Sequence, residues 1–425
     1  MAILTLSCRQ NSFEYSLFDS EHFSLLACGT VIGIGRGRHA ELICDHIQPQ
    51  HQMETVPILN DLHSAIKYVL TLLDSSGRDC CFSTPVAWTI TAVGHRVVHG
   101  GELFRQSVVI DDQVLKKIRQ LERLAAKYNR PNREGIEAAM ALLPSLVHVA
   151  IFDTAFHQTM PSSAYIYPLP YEWYEKHAVR RYGFHGSSHL YLSRCVATLM
   201  EKPIDQCRLI TIHMELGISL CAIADGRSVD CSMGFTPVDG TMQTRRSGTV
   251  DPGIPGFIMD WQELSAQQVE EVLNEKSGLV GIVGSCGGRR DVLEKSLAGE
   301  SRAKLAIMME SYGLKKSIGS YLAALGGCDA LVFSTGQGEL EVETRREFLS
   351  GLECFGVVLD QQRNSKAGLS DVPQLISHDD SSIQIWVIPT HEARVYAEDT
   401  VLVCAGHCQE PWQQEYRFSS TLSGK

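Results

Sequence analysis

The sequence predicts an α/β chain of two domains, and three observations carry that expectation. At 425 residues the chain is too long for one ordinary hydrophobic core. Short β-rich runs alternate with stretches of helical periodicity along its whole length. Two strand-turn-strand units, at Ile3–Phe18 and Leu209–Ile223, stand half a chain apart. Such a pair is read either as a duplicated fold, each turn offered to one shared cleft, or as two unrelated hairpins.

In chain order, Ile3–Ser7 and Phe13–Phe18 form the first hairpin, and the glycine-rich Gly29–Gly37 is a turn. Val56–Leu73 is an amphipathic helix with Leu59, Leu62, Ile66, Val69 and Leu73 on one stripe. A strand follows at Ile90–Val98, then helices at Asp112–Ala126 and Arg133–Leu143, then an apolar strand at Val149–Phe152. Ser187 and Ser188 are expected to cap a helix running from about His189 to Glu201. Past the second hairpin, a helix over Arg302–Leu325 ends at Gly326-Gly327. Strand Ala330–Phe333 runs into a glycine-bearing turn, and strand Ile383–Ile388 is stopped by Pro389, with a closing helix from about Ala393.

Composition narrows the function. A hydrophobic share of 44% with 20% charged residues is that of a globular protein. A net charge of −11 argues against a nucleic-acid surface, which needs cations to neutralise phosphates. The 14 cysteines form no CxxC pair, the first residues lack a signal-peptide pattern, and no apolar run is long enough to span a membrane. The expectation is a cytoplasmic protein with reduced thiols.

Charged and imidazole side chains concentrate between His148 and His189, where Asp153, Thr154 and His157 follow a buried strand and Arg180, Arg181, His185 and His189 follow further on. Singly these are ordinary paired polar residues; together at a strand end and beside glycine turns they suit an anionic transition state. His95 and His99 are four apart, but β-branched neighbours and Gly100-Gly101 place them on or after a strand, so metal binding is set aside there.

FDTAFHQTMP and RRYGFHGSSH, in this order, closely resemble the acetate and propionate kinase family, with matching pieces from Ile3 to about Val401. The resemblance implies a duplicated fold of the actin, sugar kinase and Hsp70 type with a central cleft. It implies an acyl-substrate domain over 1–152 plus about 393–425 and a nucleotide domain over 153–392. Arg96 of HRVVHGG then grips the substrate carboxylate, as a guanidinium can do bidentately, while Val98, Phe184 and Pro237 line the acyl pocket. Asp153 falls on the family's essential aspartate, His185 on its transition-state histidine, and Arg246 of RRSG on its second catalytic arginine. His213, Gly217, Arg290, Gly336 and Gly338 fall on the side that meets ATP, and Glu392 on a glutamate that helps hold Mg²⁺. A homodimer acting on a small carboxylic acid and a nucleotide is implied, with neither nucleic acid nor membrane as partner.

The chain departs from the family where phosphate is met. The first turn reads Ser7, Arg9-Gln10-Asn11-Ser12 and Glu14 where Asn, Gly-Ser-Ser-Ser and Lys are usual. Losing a glycine restricts backbone approach to phosphate, and Glu14 reverses the local charge. The second turn reads His213-Met214-Glu215-Leu216-Gly217 for His-Leu-Gly-Asn-Gly, Gly288 replaces an aspartate, and Leu340 an asparagine. Lys127 stands where a pocket leucine is usual; it either admits a longer or more acidic acid or snorkels to solvent. Two function classes follow. One is an acid kinase using ATP or another donor such as pyrophosphate. The other is a catalytically weak or silent relative that binds a ligand or partner.

Overall fold

The structure is a computed structural model that describes residues 1–44, 52–74, 89–215, 217–284, 287–334, 339–367 and 372–418. It divides into two compact units, Met1–Phe156 with His391–Phe418, and His157–Thr390.

The first unit is built on a sheet of β1 (Ala2–Arg9), β2 (Ser12–Asp19), β3 (Leu25–Ile32), β4 (His39–Cys44), β5 (Gln52–Ile58), β6 (Ile90–Val97), β7 (Val108–Val109) and β8 (Val147–Phe152). Their order is β5-β4-β3-β2-β1-β6-β8-β7. β1, β2 and β3 pair antiparallel, whereas β6 joins β1, and β8 joins β6, in parallel. The second unit carries β9 (Arg208–Met214), β10 (Ile218–Ala224), β11 (Arg227–Cys231), β12 (Ala330–Ser334), β13 (Gln374–Leu375) and β14 (Gln384–Ile388), ordered β11-β10-β9-β12-β14-β13. Here too the first three pair antiparallel, then β12 joins β9 and β14 joins β12 in parallel. The same five-strand pattern twice over is a duplication. It makes the fold an α/β duplicate of the actin and sugar kinase type.

Alternation explains the cores. Along β2 the inward Phe13, Tyr15 and Leu17 are buried with Leu4 and Leu6 of β1, beneath Leu62, Ile66 and Val69 of the Leu62–Asp74 helix. In the second unit Ile210, Ile212, Leu220, Leu331, Phe333, Ile385 and Val387 meet Leu314 and Ile318 of the Ser301–Leu325 helix. That helix stops at Gly326, in the left-handed region at φ 64°.

Several expected boundaries move. The helix expected from Val56 starts at Leu62, after Asp61 accepts from the Ser64 amide at 2.7 Å. Val56 instead pairs with Ala40 in β5, an edge strand where Pro57 costs no ladder bond. Gly29 is not in a turn but in β3 opposite Tyr15, because sheet pairing continues to Ile32 and the turn begins only at Gly33. The two helices expected over 112–143 are present, separated by a kink at Ala125, whose φ of −151° and ψ of 50° are not helical; the second helix follows that kink directly instead of starting at Arg133, so that Pro131 lies inside it, and it ends at Leu142.

Candidate functional site

Parallel pairing of β1, β6 and β8 brings Ser7, Arg96 and Asp153 together at the carboxyl ends of three adjacent strands, where open α/β sheets bind ligands. Arg96 Nε donates to both Asp153 oxygens at 3.1 Å, and Nη2 donates to Oδ2 at 2.7 Å. Nη1 faces Ser7 Oγ at 3.4 Å. Asp153 is buried. Burial alone would draw the Arg96 pKa down, but Asp153 foremost, with Tyr396 and Glu392, holds it well above the usual arginine value. The Tyr396 phenol donates to Glu392 Oε2 at 3.0 Å, and burial pushes its own pKa well up. One guanidinium thus faces two carboxylates, an excess of oxygen charge that suits a hard divalent cation. Glu392 is the residue of this unit that could help hold one, Asp153 having both oxygens on Arg96.

The segment after Val97 is held from the kinked helix. Asn132 Oδ1 accepts from the Val98 amide at 3.0 Å and its Nδ2 donates to Cys8 O at 2.6 Å. Asn129 takes the His99 amide at 3.0 Å and donates to the His99 carbonyl at 2.8 Å. Both asparagines are buried, and sequence reasoning missed them; two amides flanking Pro131 in an otherwise charged helix were the available signal. Val98 is half-buried, whereas Lys127 is exposed, which favours the solvent-facing alternative for that lysine. His95 Nε2 lies 3.0 Å from His148 Nδ1, a buried pair with no metal geometry.

In the second unit the turn at Gly183 to Gly186 is built to aim an imidazole. His157 Nε2 donates to the Phe184 carbonyl at 3.0 Å, and a Cβ at Gly183 (φ 75°) would strike the His157 ring at 2.6 Å. His185 follows in the left-handed region at φ 57°, a strained place for a non-glycine residue, and caps the Gly186–Leu199 helix through its backbone alone. Ser187 and Ser188 are therefore not caps. They lie inside the helix, and Ser188 Oγ bonds His213 Nδ1 at 2.8 Å instead. His213 lies beside His185, ring centroids 4.2 Å apart, and its Nε2 is 3.8 Å from Glu215.

Gly217 is the point on which this unit's groups converge. A Cβ there would lie 3.1 Å from Arg246 Nη1, 3.1 Å from Gln243 Oε1 and 3.4 Å from His185 Cε1. Arg246 Nη1 donates to Gln243 Oε1 at 3.0 Å, and Gln243 Nε2 donates to the carbonyl of buried Pro237 at 2.9 Å. Gln243 is fully buried and was missed in the sequence, where it is one polar residue among several in TMQTRRSG. Phe184 is buried one residue before His185. Arg290 stands apart, exposed on the Arg289–Leu297 helix and paired with Glu294 at 3.0 Å. Its neighbour Arg289 is half-buried, paired with the buried Glu310 and 5.5 Å from the Phe348 ring. Gly336 and Gly338 lie outside the described residues.

A duplicated α/β fold with a guanidinium and an imidazole set against bare backbone defines the class as a phosphotransferase of the actin and sugar kinase type. The family model described as the Acetokinase family matches residues 2–398. An acetate kinase of Trichlorobacter lovleyi is 46% identical over 99% of this chain and 98% of its own length, and one of Geobacter sulfurreducens is 44% identical over 99% of each. The crystal structure of Porphyromonas gingivalis acetate kinase superposes with a TM-score of 0.86 at 36% identity, covering 95% of this chain and 99% of that one. A propionate kinase structure from Francisella tularensis gives 0.85 at 34% identity, covering 94% and 98%. The chain belongs to the acetate kinase family.

Proposed function

We propose that this protein reversibly transfers a phosphoryl group from ATP to the carboxylate of acetate or a similar short acid, giving an acyl phosphate and ADP. The observation that carries the reading is the convergence of Arg246 and His185 on buried Gly217, which brings together a cation and an imidazole of the kinds that stabilise charge on phosphoryl oxygens. Arg96 binds the acid through the guanidinium edge not taken by Asp153. A carboxylic acid is already ionised at neutral pH, so Asp153 serves to orient Arg96 rather than to remove a proton. A carboxylate oxygen forms the new bond to the γ-phosphorus as the bond to the ADP oxygen breaks. Arg246 and His185 stabilise the charge on the equatorial oxygens. Glu392 would help hold Mg²⁺, which would neutralise phosphate charge when bound. The family resemblance assigns Val98, Phe184 and Pro237 to the acyl tail and His213, Gly217, Gly336 and Gly338 to the nucleotide, whereas the exposed pairing of Arg290 with Glu294 does not support the nucleotide role expected for it.

The altered first turn is less hostile to phosphate than its sequence suggests. Arg9 Nη2 pairs with Glu14 Oε1 at 2.9 Å, so the acid is neutralised by the residue that replaced the usual glycine. This favours ATP over an unrelated donor. Among the described residues no helix is long and apolar enough to cross a membrane. We place a homodimer contact on the Gly253–Gln262 helix, which buries none of its residues and exposes Ile254, Phe257 and Trp261, the last two stacked 6.0 Å apart.

Trapping acyl phosphate as a hydroxamate tests the activity directly, with Mg²⁺, a panel of short acids, and ATP or pyrophosphate as donor. Product with ATP supports the reading. Absence of product with every donor leaves a binding protein.

A further inference from the structure

His185 is backed by a buried chain of hydroxyl and imidazole groups that no catalytic role accounts for. Its Nδ1 lies 2.9 Å from Ser219 Oγ on β10. The same Oγ lies 2.9 Å from His189 Nε2, one helical turn after His185, and His189 Nδ1 lies 2.8 Å from Thr211 Oγ1 on β9. Ser219, His189 and Thr211 are all fully buried. His189 and His157 also stand close to Cys231, but the ring nitrogens of both histidines are engaged in hydrogen bonds, so no metal is assigned there.

The direction of this chain follows from its far end. Among the described residues the Thr211 hydroxyl has one hydrogen-bond partner, His189 Nδ1. A buried hydroxyl hydrogen left without an acceptor is costly, so Thr211 donates to Nδ1. His189 is held neutral, its pKa lowered first by burial and then by His157 and His213. A neutral ring that accepts at Nδ1 carries its hydrogen on Nε2, and Nε2 therefore donates to Ser219 Oγ. Ser219 has one hydrogen left to give, and it goes to His185 Nδ1.

We infer that Ser219, set by His189 and Thr211, is a positioning residue that fixes His185 as the tautomer with hydrogen on Nε2, the form that can donate to a transferring phosphoryl group. The inference rests on the role proposed for His185. The relay also resists protonation at Nδ1, because a hydrogen there would reverse every bond back to Thr211 and strand that hydroxyl. Among the described residues, His213, at 4.2 Å between rings, and Arg246 across Gly217 are titratable or charged groups that also face His185. Ser219 is the group bonded to Nδ1, and so the one that sets that nitrogen.

The test is imidazole ¹⁵N NMR on the full-length protein labelled at histidine, with the His185 signals assigned by their loss in His185→Gln. In the unmodified protein both His185 and His189 are expected to carry hydrogen on Nε2. Thr211→Val keeps shape and β-branching while removing the terminal donor, and Ser219→Ala removes the link itself. Each is expected to raise the pH at which His185 titrates by about half a unit or more, since the neutral ring loses its donor. Ser219→Ala is also expected to lower kcat about tenfold with KM for the acid little changed. An Nδ1-hydrogen tautomer at His185 in the unmodified protein overturns the inference, as does unchanged His185 titration in Thr211→Val. The spectra read the relay whether or not acyl phosphate is formed, so failure of the proposed activity is separable from failure of the relay.

Discussion

Arg96 lies against Asp153 in a two-pronged ion pair, with three N···O contacts of 2.7–3.1 Å at the ends of neighbouring parallel strands. Two residues with separate expected roles are thus one unit. Asp153 fixes the plane of the guanidinium, and the remaining edge is presented beside Ser7.

Replacing Asp153 with Asn should therefore destabilise the protein. Removing one partner of a buried pair leaves the other charge uncompensated and costs about 3–5 kcal/mol, so denaturant unfolding should show a lower midpoint. Arg96→Lys keeps the charge but loses the fork. It should lower kcat/KM for the acid by about a hundredfold or more while shifting stability less, as steady-state kinetics with varied acid will show.

Gln243 gives a cleaner separation of position from charge. Gln243→Leu keeps the size but removes the bonds to Arg246 and to the Pro237 carbonyl. A fall in kcat of about tenfold to a hundredfold is expected, because a misplaced Arg246 stabilises the transition state less. An unchanged kcat in this variant would remove Gln243 from the account.

Buried histidines set an acid limit. Burial lowers the pKa of His95, His148, His157 and His189, that of His157 to about 4. A folded-state pKa below the unfolded value means that stability is full above about pH 6.5 and is lost as pH falls through the folded values. For His157 alone the loss is on the order of 3 kcal/mol. Asp399 acts in the opposite sense. Burial raises it to about 6 despite bonds from Ser107 and Tyr416, so the stability it contributes at low pH is lost as pH rises from about 4 through 6. Thermal unfolding at a series of pH values should fall steeply below pH 6, and Asp399→Asn should remove the opposing component and steepen that fall.

The altered first turn is tested at Glu14. Glu14→Lys breaks the pair with Arg9 and restores a cation where the family usually has one. ATP-dependent activity should rise if this turn limits the enzyme, with KM for ATP falling. Unchanged kinetics would show that Arg9 already meets the need.

Much of the fold is legible in the sequence, because hairpins and buried strands announce themselves by alternation, and the residues proposed for catalysis stand in recognisable motifs. What escapes depends on distance along the chain. Val56 to Ile58 share an apolar stripe with the following helix, and only pairing with β4 makes them strand. Asn129 and Asn132 look like a helix break around Pro131, yet their amides are consumed by the loop after Val97, some 30 residues away. Ser187 and Ser188 have the right residue type for a cap, but the left-handed His185 backbone turns the chain one residue earlier. Ser219 and Thr211 are single hydroxyls in apolar strands, and nothing local says that they face a histidine.

The most direct measurement is hydroxamate-trapped acyl phosphate from purified protein, short acids, Mg²⁺ and ATP, run beside Arg96→Ala. Product from the unmodified protein and its loss in Arg96→Ala is the expected result. Equal product from both proteins, or none from the unmodified one, would contradict the assignment of acid phosphorylation to this site.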